Sequence, residues 1–400
     1  MFASEAAMQA WLTKEISQVY GLGELIAPKS LDGYTGEEKR IAESYSYCID
    51  CLNYNYPISF DENISLKSGD ILRPDVLLYS SESETIVLVE LKNIKEPTRQ
   101  AGTELSAYAA ELRSYIPLLA SSDIISVIIS TEWPTLLRHY VFNEITWHQR
   151  KILCLKPVQD KTKISLEIVD PKEITEGNLS LSIADDHLSG FHICLYDMGL
   201  YSGGDIKRLD SHVQQMLTAL RYIAAKGTSQ GNNGFAFLWR NSHPETIAPY
   251  MITVVNIAPF STLERFLRIV DEIKPESILG RFINICAEHD PTGHGASLGT
   301  QSESAMEFLG SFCSPQAEGF MNWRHLKEFM LENGDLIAFQ AWGFFETEYF
   351  SLLKNEYNEG KVTTTAHDPN LGLRVLEKII DSEYQFIDLT YFNYHPEEPD

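Results

Sequence analysis

Two short stretches hold residue types that do chemistry together: Arg73-Pro74-Asp75 and Val89-Glu90-Leu91-Lys92. Between them lies Ser80-Ser81-Glu82-Ser83-Glu84, a polar turn flanked by apolar runs. That pattern predicts a hairpin with strands over residues 71–79 and 85–91. Side chains alternate faces along a strand, so Glu90 and Lys92 share one face while Val89 and Leu91 enter the core. The run Ile86-Val87-Leu88-Val89 is apolar on both faces, as a central strand should be. Charge then appears abruptly at the strand's end, which is costly unless the charges are paired or bind a ligand. Two carboxylates there offer hard oxygen donors for Mg²⁺. A cation so held polarises a phosphoryl oxygen and acidifies a bound water. Lys92 would position that water, stabilise charge on the phosphorane, or act as a general base if its pKa falls. The expected chemistry is metal-assisted hydrolysis of a phosphodiester. The plainer alternative is a surface salt bridge between Glu90 and Lys92 beside a turn Asp75.

The P-D…E-x-K pattern of Pro74, Asp75, Glu90 and Lys92 resembles the PD-(D/E)XK nuclease superfamily, whose fold is restriction-endonuclease-like. The resemblance covers residues 1–165. It implies a mixed sheet flanked by helices and a cation held by Asp75, Glu90 and the Leu91 carbonyl. Mg²⁺ is the implied cofactor, with Mn²⁺ able to substitute, and Lys92 is implied to be catalytic. A further Glu on a preceding helix is implied as well. Glu38 is the leading candidate, because it extends the apolar face of Ile41 and Tyr45; Glu15 and Glu43 are weaker. A Gln on the helix after the Lys strand is the last implied part. Gln100 stands eight residues past Lys92, with Glu104 and Tyr108 following on one face. The Q-x-x-x-Y spacing of one large branch is not met, since position 104 is Glu. The implied substrate is nucleic acid, DNA first, in a setting such as restriction or antiviral defence, by analogy alone.

The elements that must position these groups follow from periodicity. Helices are expected over residues 8–19, 37–52 and 100–119, a buried strand over 123–130, and a short helix from Pro134 to about 141. Strands over 151–156 and 164–169 complete an α-α-β-β-α-β-α-β-β domain. A polar stretch with Pro171, Gly177, Asn178, Asp185, Asp186 and Gly190 follows. The expected organisation is a nuclease-like domain over 1–169, a linker over 170–190, and a second α/β or α+β domain over 191–400. That domain should hold strands over 191–196, 234–239 and 250–257, and helices over 209–225 and 261–273. Residues 300–360 read as mostly helical, with many aromatics.

Composition narrows the function classes. The 400 residues include 32 Lys/Arg and 56 Asp/Glu, a formal charge of −24, which opposes general polyanion binding. Residues 1–165 hold 16 basic and 22 acidic side chains, a net of −6, and the remainder carries −18. The acidity therefore belongs mostly to the part without the chemical signature. That part would serve specificity, regulation or assembly, docking a protein partner or a second copy. Arg138, Arg150, Lys151, Lys156, Lys161 and Lys163, with Lys92, Lys95 and Arg99, would contact phosphates, or else mark a solvated edge strand whose lysines guard against aggregation. A second class of function is a non-catalytic interaction protein that uses the nuclease-like domain for binding and the acidic domain for a basic partner. Six scattered cysteines and no export signal fit reduced thiols in the cytoplasm. Cys48 and Cys51 form a C-x-x-C without the second pair a zinc site needs. No apolar run is long enough to span a bilayer, so a membrane is not expected among the partners.

Overall fold

The apolar runs of the first unit, Met1–Leu179, build one six-stranded mixed sheet with helices packed on it. The structure, a computed structural model, describes residues 1–93, 100–160, 163–175, 182–197, 206–243, 246–289, 293–361 and 365–391. Helix α1 (Glu5–Ile16) starts where the Ser4 hydroxyl accepts from the Ala7 N–H at 3.2 Å, and it buries Met8, Leu12 and Ile16. Helix α2 (Gly36–Asp50) buries Ile41, Tyr45 and Cys48 at helical spacing. Strands β1 (Asn55–Phe60), β2 (Val76–Ser80) and β3 (Thr85–Lys92) form an antiparallel meander. Helix α3 (Gln100–Tyr115) crosses over to β4 (Ile124–Ser130), which runs parallel to β3. Helix α4 (Thr135–Thr146) leads to β5 (Lys151–Asp160), parallel to β4. Strand β6 (Lys163–Ile168) then closes the sheet antiparallel, before the short α5 (Pro171–Thr175). The spatial order is the chain order, β1 to β6. Strand β3 therefore lies inside the sheet, and all eight of its residues are buried.

Two departures from the sequence reading have clear causes. Strand β1 gives no alternating apolar signal: Tyr56 and Ile58 are exposed, and Pro57 sits at a register shift. A sheet edge tolerates such a strand because one side of its backbone needs no partner. The strand expected over residues 71–79 begins only at Val76. Upstream, Asn63 Oδ1 accepts from the Leu72 N–H at 2.8 Å and Ile64 N–H donates to the Leu72 carbonyl at 2.8 Å. Those bonds tie Leu72 into a loop, and Pro74 has no N–H to offer a ladder.

The second unit, Ser180–Asp400, holds a five-stranded antiparallel sheet in the order β10-β7-β9-β8-β11. Its elements are β7 (Leu188–Tyr196), α6 (Val213–Ser229), β8 (Gly234–Asn241), β9 (Tyr250–Ile257), α7 (Phe266–Ile269), α8 (Ile278–His289) and α9 (Gly295–Leu309). Strand β10 (Ser314–Asn322), α10 (Trp323–Asn333), β11 (Gly334–Trp342), α11 (Phe344–Asn358) and α12 (Pro369–Ile379) follow. Alternating side chains divide its interior in two. Ile193, Leu238, Ile252 and Val254 pack with Leu220 and Leu298, whereas Phe235, Phe237 and Val255 pack with Trp323, Phe345 and Leu371. The mostly helical reading of residues 300–360 is corrected by β10 and β11. Strand β10 is too polar to announce itself, and its residues are mostly exposed at the sheet edge. The helix expected over 261–273 shrinks to a 3₁₀ turn, Ser261–Arg265, and the single turn of α7. The Gly203-Gly204 pair, which the sequence marks as a turn between a strand and a helix, falls outside the described residues. The described cysteines are free and buried, and among the described residues no helix is long and apolar enough to cross a membrane.

Candidate active site

The register of the β2–β3 hairpin decides the geometry. Val76 pairs with Val89, so Asp75, one residue before β2, stands opposite Glu90. The Asp75 carboxylate is held there by the Leu91 N–H, which donates to Oδ2 at 2.7 Å. The Gln9 amide on α1 donates to the Asp75 carbonyl at 3.1 Å. On the other side of β3, the Lys92 carbonyl accepts from Thr131 N–H at 3.1 Å. Successive residues of a strand aim their backbone groups to opposite sides. The Leu91 carbonyl therefore turns with its N–H toward Asp75.

Lys92 is the centre of the charge cluster. Its ammonium lies 2.6 Å from Glu90 Oε1, 3.1 Å from Glu104 Oε2 on α3, and 3.9 Å from Glu5 Oε1 on α1. Glu90 and Lys92 are only 3% and 5% exposed, so both groups are withdrawn from water. Glu90 is incompletely satisfied: its Oε2 is buried with no hydrogen-bond partner among the described residues. An orphaned carboxylate oxygen in a native interior calls for an explanation, such as a role in chemistry or an unseen ion or water.

Four acids surround one lysine, and their titration reflects it. Burial, opposed only in part by Lys92, pushes the Glu90 carboxyl up to about 9, with Asp75 and Glu104 adding to the rise. Burial also raises Asp75 to about 6, although the Leu91 N–H and Lys92 pull the other way and Glu5 and Glu104 add to it. Burial works against the Lys92 ammonium, but Glu90, Glu5 and Glu104 more than offset it and hold Lys92 above the ordinary lysine range. Lys92 thus stays cationic at neutral pH, contrary to the general-base role that needs its pKa to fall.

The other expected residues are distributed differently. Glu38 lies in the first turn of α2, which packs against β5, α4 and α5, and its charge acts on Tyr34, whereas the carboxylates that raise Lys92 are Glu90, Glu5 and Glu104. The helix carboxylate that reaches the cluster is Glu5, in the first turn of α1. Glu5 escaped the sequence reading because it precedes the apolar face of its helix; the Ser4 cap before it was the available signal. Gln100 opens α3, and its side chain lies outside the described residues. One turn further, the Glu104 carboxylate accepts from the Lys92 ammonium. No protein-family model matches the chain, and no curated protein or solved structure matches it. The site is therefore read from its own chemistry. Lys95, Arg99 and Lys161 lie outside the described residues. Of the remaining basic groups, Arg150 pairs with Glu144 at 3.7 Å, Lys151 stacks over Tyr47 at 5.1 Å, and Arg138 donates to the Glu173 carbonyl at 3.0 Å.

The donor set suits a hard divalent cation in part. Asp75, the orphaned Glu90 Oε2 and the Leu91 carbonyl are oxygen donors at one strand end. Among the described residues no group of three or more His, Cys, Asp or Glu is arranged to hold a metal ion. A divalent cation held by one or two carboxylates would need waters or other oxygen donors to complete its shell, as Mg²⁺ commonly does.

Proposed function

We propose that the first unit is a Mg²⁺-dependent phosphodiester hydrolase, a nuclease of PD-(D/E)XK type acting on DNA, with Mn²⁺ able to substitute. The observation that carries this reading is Glu90: a carboxylate buried beside Asp75 and Lys92 with one oxygen unpartnered among the described residues. The order of a three-strand meander, a helix and a parallel strand supports a restriction-endonuclease-like core. In this reading Asp75, Glu90 and the Leu91 carbonyl hold the cation, which polarises the scissile phosphoryl group and acidifies a water. The Lys92 ammonium orients that water and stabilises the charge that builds on phosphorus. Glu104 and Glu5 hold Lys92 charged and aimed. Cleavage of plasmid DNA and of RNA with Mg²⁺, by wild type, Asp75→Ala and Lys92→Ala, tests it. Loss in both variants is expected; equal activity in all three proteins sinks the reading. A cytoplasmic role in restriction or antiviral defence is the matching biological setting.

One observation favours a second reading. Lys92 is already neutralised by Glu90 and Glu104, as a purely structural ion cluster would be. The first unit would then be a binding module, and the acidic second unit would dock a basic partner or a second copy. Titration with Mn²⁺ separates the two, since saturable binding that Asp75→Ala abolishes is incompatible with a structural cluster.

A further inference from the structure

One face of α3 grips the loop that ends at Asp75. Glu104, Tyr108, Glu111 and Tyr115 recur at intervals of four, three and four, so they form one stripe. Glu104 pairs with Lys92 at 3.1 Å. Tyr108 donates its hydroxyl to the Arg73 carbonyl at 2.9 Å, Glu111 accepts from the Leu66 N–H at 2.5 Å, and Tyr115 donates to the Ile64 carbonyl at 2.7 Å. Tyr108 is buried, and Glu90, Glu104 and Asp75 all raise its pKa after burial itself, which places its hydroxyl within their field.

The consequence lies in the covalent geometry between Arg73 and Asp75. Pro74 separates them, and its ring fixes one backbone dihedral. Its predecessor is restricted as well. With the Arg73 carbonyl anchored, few rotations remain by which Asp75 can leave Glu90. We infer that Tyr108 is a positioning residue, which acts through the Arg73 carbonyl to hold the Asp75 carboxylate on the Leu91 N–H. The inference deepens the hydrolase reading by adding a residue to its site, yet its first readout needs neither metal nor turnover.

The experiment compares Tyr108→Phe with Tyr115→Phe in the full chain. Both delete one tyrosine hydroxyl from the same face of the same helix, and both free one carbonyl of the same loop. Amide hydrogen exchange at Leu91 reports whether Asp75 still holds that N–H. Tyr108→Phe should speed exchange at Leu91 about fivefold, the scale of one hydrogen bond's net contribution, and Tyr115→Phe should leave it unchanged. Equal effects of the two variants, or none from Tyr108→Phe, overturn the inference. Mn²⁺ affinity is the second readout, and only Tyr108→Phe should weaken it, again by about fivefold. If wild type neither binds Mn²⁺ nor cleaves, the hydrolase reading fails by itself, and the positioning role is judged on the exchange at Leu91 alone.

Discussion

Each unit buries a carboxylate beside a basic side chain, and the two are handled in opposite ways. In the second unit Glu264 is fully buried against His187, whose Nε2 lies 2.9 Å from Glu264 Oε1. The Ala184 N–H donates to His187 Nδ1 at 2.9 Å, so the ring proton sits on Nε2 and points at the carboxylate. Tyr384 donates its hydroxyl to Oε1 at 2.5 Å, and the Ile387 N–H donates to Oε2 at 3.3 Å. Burial pushes the Glu264 carboxyl up, but these donors more than offset it and hold it below the ordinary value. In the first unit Glu90 has Lys92 on one oxygen and, among the described residues, no donor on the other, and its carboxyl is pushed up to about 9 by burial, with Asp75 and Glu104 adding to the rise. Both oxygens of Glu264 are engaged by protein donors, as expected of a structural tie. Glu90 has spare coordinating capacity and a large desolvation penalty, which is how functional carboxylates are commonly recognised.

The comparison can be broken most decisively by activity. On the proposed function, Asp75→Ala and Glu90→Ala should each lower Mg²⁺-dependent cleavage at least about a hundredfold. Glu264→Ala should leave the rate of properly folded protein within about twofold, because its carboxylate touches no reacting group. Initial rates on labelled duplex DNA measure all three. A Glu90→Ala protein as active as wild type would remove the functional half of the contrast.

Stability gives the next largest effect, in the reverse order. Glu264→Ala should destabilise the second unit by about 3 kcal/mol, since it leaves His187 and Tyr384 facing a void. Near pH 7 Glu90→Gln should leave the first unit's melting temperature unchanged, because a carboxyl pushed up to about 9 is already held mostly uncharged there, as the amide is. Denaturant titration followed by probes in each unit compares them. Similar losses for both variants would mean that Glu90 is a structural tie as well.

The pH dependences should also oppose each other. The Asp75 and Glu90 values are raised by folding, so their contribution is fully present below about pH 4. It is lost as pH rises through about 6 for Asp75 and about 9 for Glu90. Glu264 is lowered, so its contribution is present above the ordinary carboxylate value and lost as pH falls through its folded value. Melting curves from pH 4 to 9 should show the first unit weakening as pH rises, and Mn²⁺ should flatten that slope. A metal-independent slope would count against cation binding at Asp75 and Glu90. The smallest contrast lies within the first unit. Glu5→Gln should reduce cleavage about tenfold, as loss of a supporting partner does, while Glu38→Ala should change it by less than about twofold. The reverse ranking would restore Glu38 to the site.

Much of this was legible before any fold was known, for local reasons. The alternation of β3 and the polar turn after β2 were enough to place Glu90 and Lys92 on one face and Asp75 across from them. A side-chain period of two is a property of the extended chain itself, so nearest-neighbour strand pairing carries it without reference to the rest of the molecule. Strand β10 was not legible, because an exposed edge strand needs no apolar pattern. Which distant carboxylates would join Lys92 was not legible either. Helix periodicity says which face of α1 or α2 is buried, but not where on the sheet that face will lie. Glu38 looked as well placed as any residue until α2 packed on β5 and α4, and α1 brought Glu5 to the end of β3 instead. The sequence by itself determined the Glu90–Lys92 pair and its strand. The tertiary structure decided the company it keeps: Glu5 and Glu104 holding Lys92 cationic, and burial deep enough to leave one Glu90 oxygen without a partner among the described residues. The physical reason is range, since strand alternation acts between adjacent residues, whereas desolvation and charge clustering arise only when segments distant in sequence close around them.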